Sequence, residues 1–329
     1  MEFNDQGKRS LMLENLIFSL NSTMPLFFMM LLGYILYRTQ FLNDNFVSIA
    51  NKFVYNVTLP VMLFNDLAST DIRSSFDVRY VGYCASVTII SILVIWVLSR
   101  WLFRDKSIVG EFVQGCYRSS AAILGGAFIQ NIYGTSGMSG LMILGSVPLY
   151  NIFAVLILTL ECPQGNTEPL GKMIRRSIGS IFRNPTLIAI ALGLLASFIK
   201  LPLPTMATKA MSSLGGVTTP LALLIIGAGF KGKAALGKIG PTVLATAVKL
   251  LVLPALFLPV AIWLGFTDQK LVALLVMLGS ITTPSAYVMA KQMGHEGTLT
   301  ASVCAATTIF SALTLTLWLF LVRSGGYIL

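Results

Sequence analysis

A polar string interrupts a long apolar stretch near the C-terminal end of the chain. It reads Gly279-Ser280-Ile281-Thr282-Thr283-Pro284-Ser285-Ala286 and combines a proline and a glycine with several hydroxyl groups. Where a helix breaks inside a membrane, its free backbone groups must line a polar cavity, because lipid cannot satisfy them. The N-terminus of the following half-helix carries partial positive charge, which suits a carboxylate. The candidate anion-binding residues in this string are Thr282, Thr283, Pro284 and Ser285.

The first half of the chain contains a counterpart to this string. Ser119 and Ser120 supply hydroxyl groups, and Gly125 with Gly126 supplies the backbone freedom that a helix break needs. Arg118 comes directly before them. In a membrane its side chain could bind or gate an anion, or it could extend to the interface as long basic side chains do. We predict that this segment and the C-terminal string form one binding site.

Further polar side chains lie within apolar stretches. Lys249 is a cation close to mid-membrane and is a candidate for substrate binding or ion coupling, although it could instead cap carbonyls of a broken helix. Asn151 is predicted to face the cavity beside the broken helices. Asn56 lies on a polar helical face that should turn either toward a cavity or toward another helix. Asp66 is a candidate proton or cation site, with an ordinary interfacial charge the favoured alternative.

The composition requires a membrane to surround these groups. Hydrophobic residues make up 55% of the 329 residues, charged residues only 11%, and the mean hydropathy is +0.80. Too little polar surface remains to cover a soluble globule of this size. Ten apolar stretches, called spans 1 to 10, are long enough to cross a bilayer as helices. They are 14–37, 46–66, 79–103, 112–133, 138–160, 184–200, 214–230, 240–264, 270–293 and 297–322.

Several classes of protein are disfavoured by what the sequence lacks. The net charge of +10 is scattered over loops without interleaved aromatic residues, so we expect no nucleic-acid partner. No metal-ligand, nucleophile-elbow or phosphate-loop motif occurs, and we expect neither an enzyme nor a metal or other cofactor. The four cysteines indicate no disulfide framework. We also expect no removable signal peptide at the start of the chain.

The chain repeats itself at an offset of 160 residues. Pro25 coincides with Pro185, Gly33 with Gly193, and Pro60 with Pro220. Each half holds an odd number of spans, so the two halves should enter the membrane from opposite sides. We therefore predict an inverted repeat: residues 14–160 form the first five-helix half, 161–183 a cytoplasmic linker and 184–322 the second half. Pro60 and Pro220 are expected to kink spans 2 and 7.

Basic residues set the predicted orientation. Lysine and arginine are more numerous in the loops on one side, notably at Lys172, Arg175, Arg176 and Arg183 in the linker. Loops rich in these residues stay in the cytoplasm. Both termini are therefore predicted to lie outside a cell inner (plasma) membrane. The connection Lys200–Ser213 is predicted to lie outside too, with a short interfacial helix at Met206–Met211 as one option.

The chain resembles the auxin efflux carrier family. The resemblance is carried by "IFRNPTLIAIALGLLASFIKLPLP" with "LGGVTTPLALLIIGAGF", by "SVPLYNIFAVLIL", by "VKLLVLPAL" and by "YVMAKQMG", and it extends over most of Asn21–Leu321. It implies membership of the bile acid/arsenite/auxin-type transporter superfamily, with ten transmembrane helices, a 5+5 inverted repeat and a crossover of broken helices 4 and 9. It also implies an elevator, with spans 1, 2, 6 and 7 as scaffold and dimer surface, and spans 3–5 and 8–10 as the moving unit. The short linker favours a bacterial-type organic-anion carrier.

These expectations define the functional candidates. The first is a secondary carrier or facilitator that exports a small organic anion, a carboxylate or an auxin-like acid, by alternating access. A cation-coupled organic-anion symporter of the same fold is the alternative, with H⁺ or Na⁺ coupling left open. An ion channel or an intramembrane enzyme is the alternative of a different class. The expected partners are the organic anion, the lipid bilayer and a second copy of the chain in a homodimer.

Overall fold

Long apolar helices make up the described part of the protein. The computed structural model describes residues 5–69, 77–121, 124, 128, 129, 132, 133, 137–162, 183–230 and 232–328. Within these ranges six helical segments are long and apolar enough to cross a membrane: 44–68, 78–102, 138–160, 205–228, 239–263 and 298–324. Two shorter apolar helices, at 23–38 and 185–198, add to them. The described chain is therefore all-α, and its helices fit an integral membrane protein.

The helix bounds divide as follows. The first half contains α1 Asp5–Arg38, α2 Asp44–Phe53, α3 Leu59–Ala68, α4 Val78–Leu102, a 3₁₀ turn Lys106–Ile108, α5 Val109–Tyr117 and α6 Gly137–Leu160. The second half contains α7 Pro185–Phe198, α8 Thr205–Gly216, α9 Thr218–Ala228, α10 Gly232–Leu236, α11 Ile239–Ala247, α12 Leu253–Trp263, α13 Asp268–Gly279, α14 Ser285–Gln292 and α15 Thr298–Ser324.

Two π-helical turns join consecutive helices without ending them. Val54–Thr58 connects α2 to α3, and Val248–Val252 connects α11 to α12. A proline follows each turn, Pro60 in the first case and Pro254 in the second. Proline has no N–H and its ring clashes with the carbonyl four residues earlier, so the preceding turn widens.

The widened turn before Pro254 is stabilised by a neighbouring helix. The Leu253 backbone N–H reaches back five residues to the Val248 carbonyl, as a π turn requires. The carbonyl of Leu250, which Pro254 cannot bond, accepts a hydrogen bond from Trp318 Nε1 on α15 at 2.9 Å. The sequence predicts a kink at Pro60 but neither π turn.

Close helix pairs form where glycines face a backbone. The helix α1 packs on α9 and α15, α3 packs on α7 and α8, and α4 packs on α6. At Gly33 a Cβ atom would lie 2.8 Å from the Leu224 Cα on α9. At Gly193 on α7 it would lie 2.9 Å from the Phe64 carbonyl oxygen on α3. Only glycine permits these approaches, so both positions are packing sites.

The connection Lys200–Ser213 differs from the prediction. Thr205–Gly216 is one helix, α8, and it continues through Val217 into α9 as a single candidate span, 205–228. The predicted start of span 7 at residue 214 is therefore wrong, as is a separate interfacial helix at Met206–Met211. The polar residues Lys209 and Ser212 lower the local hydropathy and hide the start of the helix. Most of the predicted linker, 163–182, lies outside the described residues.

Ionic and capping contacts tie helix ends across the fold. Asp77 caps α4 by accepting from the backbone N–H groups of Arg79 and Tyr80, and Lys270 Nζ on α13 donates to its Oδ2 at 2.6 Å. The hydrogen bond from Lys270 is the largest cause of a lowered pKa at Asp77. This carboxylate is therefore ionised at neutral pH, and its ion pair with Lys270 holds α4 against α13.

Glu111 on α5 makes a comparable contact inside the protein. Its carboxylate is 1% exposed and accepts from the backbone N–H of Gly297 at 2.8 Å and of Thr300 at 3.0 Å. These donors lie at the N-terminus of α15, where the helix dipole favours negative charge. Glu111 therefore anchors α5 to α15.

Candidate functional site

The helices α13 and α14 are separated by a break that falls within the polar string 279–286. The helix α13 ends at Gly279, Ser280 adopts an extended backbone, and α14 begins at Ser285 with Pro284 as its N-cap. The proline suits this place because it lacks the N–H that an intrahelical bond would use. The polar string thus leaves backbone groups between two half-helices that must find partners outside their own helix.

A second extended segment crosses the first. The helix α5 ends at Tyr117, and Arg118 has an extended backbone. A single antiparallel bridge pairs Ser119 with Thr282, and the Ser120 N–H donates to the Ile281 carbonyl at 3.0 Å. Helical geometry resumes at once, because the Leu124 N–H donates to the Ser120 carbonyl. Gly125 and Gly126, the predicted source of backbone freedom, lie outside the described residues.

Neighbouring helices satisfy the polar groups of Thr282. Its backbone N–H donates to Thr307 Oγ1 at 3.0 Å, and its own hydroxyl donates to the Gly115 carbonyl at 2.8 Å. The thiol of Cys304 contacts its carbonyl oxygen at 3.2 Å. Non-helical backbone at membrane depth is stable only when protein satisfies it in this way. Thr282 therefore holds the crossing together from behind the cavity and does not line it.

Arg118 is the cation at the centre of the crossing, and it is 2% exposed. Its Nη1 donates to Gln114 Oε1 at 3.0 Å and contacts Met289 Sδ at 2.7 Å. Its Nη2 donates to Asn151 Oδ1 at 2.7 Å and to Ser285 Oγ at 3.2 Å. All four acceptors are neutral, and no carboxylate among the described residues forms an ion pair with this guanidinium. The side chain points into the protein and does not extend to an interface.

A small cavity lies against this arginine. Its volume is about 40 Å³, and it is lined by Leu59, Met62, Leu63, Arg118, Ser119, Ser120, Val147, Tyr150, Asn151, Thr283 and Ser285. A buried water needs about 10–15 Å³ on this measure, so the cavity has room for about three waters. None of these lining residues is acidic. The cavity therefore combines an unneutralised cation, hydroxyl groups and an amide with apolar walls.

The predicted candidates divide between this cavity and its support. Six of them line it: Arg118, Ser119, Ser120, Asn151, Thr283 and Ser285. Asn151 is held in place because its Nδ2 donates to the Val147 carbonyl at 2.9 Å, which leaves Oδ1 for Arg118. The hydroxyls of Thr283 and Ser285 are 3.2 Å apart. Pro284 shapes the start of α14, and its side chain is not among the lining groups.

Lys249 lies behind the cavity in the π turn and is fully buried. Its Nζ donates to the Tyr117 carbonyl at 3.1 Å and to Ser119 Oγ. Tyr117 is the last residue of α5, so this ammonium caps a carbonyl at the end of a half-helix. This geometry matches the alternative in which Lys249 caps carbonyls of a broken helix.

A larger cavity adjoins the small one. Its volume is about 410 Å³, and it lies between α3 and the helices α8 and α9. The lining residues are Met62, Asn65, Asp66, Met211, Ser212, Gly215, Gly216, Thr219 and Pro220. Met62 lines both cavities, so they meet at this residue. We call the larger cavity the vestibule; Asp66 lies there.

Asn56 does not take part in either cavity. Its side chain is exposed, and its Nδ2 donates to the Lys52 carbonyl of its own helix at 2.9 Å. The buried polar residue on this helix is Asn51, whose Nδ2 contacts the Val288 carbonyl of α14 at 3.4 Å. The inward polar face predicted for this helix is therefore present at Asn51 and absent at Asn56.

Sequence reasoning missed several lining and supporting residues. Met62, Leu63 and Tyr150 line the small cavity, and Gln114 and Met289 contact Arg118. Gln114 could have been found, since it precedes Arg118 by four residues and so shares its helical face. Met62 offers no such signal because an apolar residue in an apolar helix is ordinary. Among the described residues, no cluster of three potential metal ligands occurs.

Comparison with known proteins agrees with this architecture. A family model described as membrane transport protein matches residues 18–319 of the chain. The chain belongs to this family. It is the auxin efflux carrier family, so the resemblance read from the sequence is confirmed. An uncharacterized transporter from Methanothermobacter thermautotrophicus is 22% identical over 305 residues, covering 91% of this chain and 97% of that relative.

Family membership establishes the class of protein. This member of the membrane transport protein family is a multi-pass membrane protein of a transporter family, and that family is not one of enzymes. The buried crossing, its arginine and the two adjoining cavities form the candidate site for a transported solute.

Proposed function

We propose that this protein is a secondary carrier of a small organic anion, a carboxylate or an auxin-like acid. The observation that carries the proposal is Arg118, a buried guanidinium that faces a cavity and is bonded only to neutral acceptors. A buried charge without a counter-ion is costly, and a carboxylate bound beside it would remove much of that cost. To bind a carboxylate, the Arg118 guanidinium would exchange some of these neutral acceptors for the two carboxylate oxygens, whose geometry its fork matches.

The N-terminal ends of two helical segments add to the positive electrostatic potential that Arg118 creates at the cavity. The helix α14 begins at Ser285, beside Arg118, and a further helical turn begins at Ser120. The dipole at a helix N-terminus favours an anion. The hydroxyls of Ser120, Thr283 and Ser285 can donate to a second part of the solute. Apolar walls formed by Leu59, Met62 and Val147 suit its carbon skeleton.

Binding requires the small cavity to widen. A volume of about 40 Å³ holds a few waters but not an organic acid. Alternating access supplies the widening, because the two sides of the cavity come from different groups of helices. Leu59, Met62 and Leu63 lie on α3, whereas Arg118, Asn151 and Ser285 belong to the crossing and to α6.

Repeat-related packing of two helix pairs supports an elevator arrangement of these groups. The close contact of Gly33 with Leu224 and that of Gly193 with Phe64 are related by the same offset of 160 residues. Equivalent helix pairs, α1 with α9 and α7 with α3, thus pack through equivalent residues. We propose that these helices, with α2 and α8, form the scaffold and dimer surface. The moving unit would be α4 to α6 with α11 to α15, in a protein of ten spans.

We further propose efflux across the inner (plasma) membrane, with both termini outside. The basic linker and loops support this orientation. An inside-negative potential would then assist export of an anion by about 2.3 kcal/mol per charge for each 100 mV. The cation-coupled symporter remains the competing proposal, and the contacts of Lys249 help to decide between the two.

The experiment combines ligand binding with transport. Purified protein would be screened by thermal shift against dicarboxylates, keto acids and indole acids, and the stabilising acids would be tested in counterflow in proteoliposomes. A ligand at about 100 times its Kd stabilises the folded state by about 2.7 kcal/mol, which is a readable shift. We expect at least one acid to stabilise the protein and to exchange across the membrane.

The variant Arg118→Gln tests the site itself. It keeps a hydrogen-bonding side chain but removes the charge, so we expect affinity for the stabilising acid to fall about tenfold or more. Arg104→Gln, at an exposed position, is the matched control and should bind as the wild type does. Full binding by Arg118→Gln, or a unitary conductance far above carrier turnover, would refute the proposal.

A further inference from the structure

Lys249 occupies an unusual position for a lysine. It lies in the π turn Val248–Val252, within a helical segment of mean hydropathy 2.2, and its side chain is fully buried. It does not line the small cavity, so it is not placed to hold the transported anion. A lysine at this depth is expensive to bury, and no carboxylate among the described residues forms an ion pair with it. Its partners must therefore explain its presence.

Those partners are the ends of the two broken helices. Nζ donates to the carbonyl of Tyr117, the last residue of α5, at 3.1 Å. It also donates to Ser119 Oγ, and that hydroxyl donates in turn to the Met277 carbonyl in the last turn of α13. One ammonium group thus connects the C-terminal ends of both half-helices, directly at α5 and through one hydroxyl at α13.

The charges at this point balance. Each helix C-terminus carries the equivalent of about −0.5 elementary charge, so two such ends together carry about −1. When protonated, Lys249 carries +1. The opposite ends of the break, where Ser120 and Ser285 start new helical turns, face Arg118 and the small cavity. The crossing therefore has a cation-occupied side and an anion-accepting side.

In cation-coupled carriers with broken helices, half-helix C-terminal ends and unwound carbonyls coordinate the driving cation. We infer that Lys249 takes the place of that coupling cation, so that anion transport by this chain requires no Na⁺, K⁺ or Li⁺. The inference rests on the proposed function, since it concerns how the same carrier is driven. It favours the uncoupled carrier over the metal-cation symporter.

The first experiment measures wild-type counterflow of a stabilising acid in proteoliposomes. The salts compared are chlorides of Na⁺, K⁺, Li⁺ and N-methyl-D-glucammonium at equal ionic strength. We expect rates within about twofold of one another, because the site already holds its cation. A rate about tenfold higher in any one of the metal chlorides would overturn the inference.

The second experiment removes the built-in cation. Lys249→Ala leaves the Tyr117 carbonyl and the Ser119 hydroxyl without their donor, so we expect transport in N-methyl-D-glucammonium to fall about tenfold or more. Na⁺ or methylammonium should then restore part of the rate. Lys249→Arg, which keeps a cation, should retain more transport than Lys249→Ala, and Lys209→Met, at an exposed position, should match the wild type. Unchanged transport by Lys249→Ala in N-methyl-D-glucammonium chloride, without Na⁺ or methylammonium, would refute the inference.

A third measurement separates this inference from the proposed function. Melting temperatures are recorded without any organic acid, in the same salts. Na⁺ or methylammonium should raise the melting temperature of Lys249→Ala and leave that of the wild type unchanged, since only the variant has an open cation position. Equal responses of both proteins contradict the role of Lys249. Failure of every acid to bind or exchange in the wild type would instead refute the proposed function alone.

Discussion

At the scale of single residues, the charge of the site can be tested at Asn151. Its Oδ1 accepts from Arg118 Nη2 at 2.7 Å, and its Nδ2 donates to the Val147 carbonyl. Aspartate has nearly the same shape and would place a carboxylate against the guanidinium. We expect Asn151→Asp to raise the melting temperature by a few degrees while transport falls about tenfold or more, because the internal carboxylate competes with the substrate.

The two readouts of this variant separate a binding role from a structural one. If Arg118 served only to hold the crossing together, Asn151→Asp would strengthen that contact and leave transport unchanged. Counterflow and thermal melting on the same preparation distinguish the two cases. Asn45→Asp, at an exposed position near the start of α2, controls for the added negative charge and should leave transport unchanged.

At the scale of elements, the break between α13 and α14 was predictable from sequence. Thr282, Thr283 and Pro284 stand within an otherwise apolar run, and a proline beside consecutive hydroxyl residues near the middle of a span favours a break over a continuous helix. The π turn around Lys249 was not predictable, because whether a proline ends, kinks or widens a helix depends on neighbours. Here the neighbour is Trp318, which bonds the Leu250 carbonyl from a distant helix.

The candidate site was predictable in part for the same reason. Arg118 and Asn151 can be identified from the sequence because they are polar residues within apolar stretches. Their mutual contact does not follow from sequence, because it joins helices that only the fold brings together. Met62 could not be found either, since its role depends on lying between two cavities. The polar residues of the site could be predicted from residue type alone, whereas its apolar residues depend on how the helices pack.

The glycine contacts give an element-scale prediction. A Cβ at Gly33 or Gly193 would press on the backbone of the partner helix, which cannot rotate away as a side chain can. We expect Gly33→Ala and Gly193→Ala each to cost about 1–3 kcal/mol, the usual range for overpacking, with Gly33 the more sensitive. Thermal melting in detergent measures the effect.

The control for these variants is Gly82→Ala in α4. A Cβ there would meet nothing within 4 Å, and alanine is the better helix former by up to about 1 kcal/mol. Its melting temperature should stay the same or rise. If Gly33→Ala melted like Gly82→Ala, then α1 and α9 would not pack as closely as the contact indicates, and the support for equivalent packing of the two halves would be lost.

At the scale of the whole molecule, we propose that the two cavities mark a direction of entry. The vestibule holds about 410 Å³, within the range of ligand sites, whereas the cavity beside Arg118 holds about 40 Å³. The two cavities meet at Met62. A solute approaching from the vestibule side would therefore have to displace the Met62 side chain, or α3 would have to move away from the crossing. In the proposed orientation the vestibule opens to the outside.

Cysteine labelling tests this route and the orientation together. Ser212 is exposed on the vestibule wall, while Cys84, Cys116 and Cys304 are buried, so Ser212→Cys in a Cys162→Ser background leaves one accessible thiol among the described residues. We expect a membrane-impermeant maleimide to label it from outside, and a stabilising acid to slow the labelling as the solute occupies the route.

A cysteine at Lys209, exposed on the same helix but outside the vestibule lining, should be labelled without protection. Labelling only from inside would reverse the proposed orientation. Equal rates with and without the acid would mean that the vestibule is not on the path, because a passing solute must exclude the reagent from its wall.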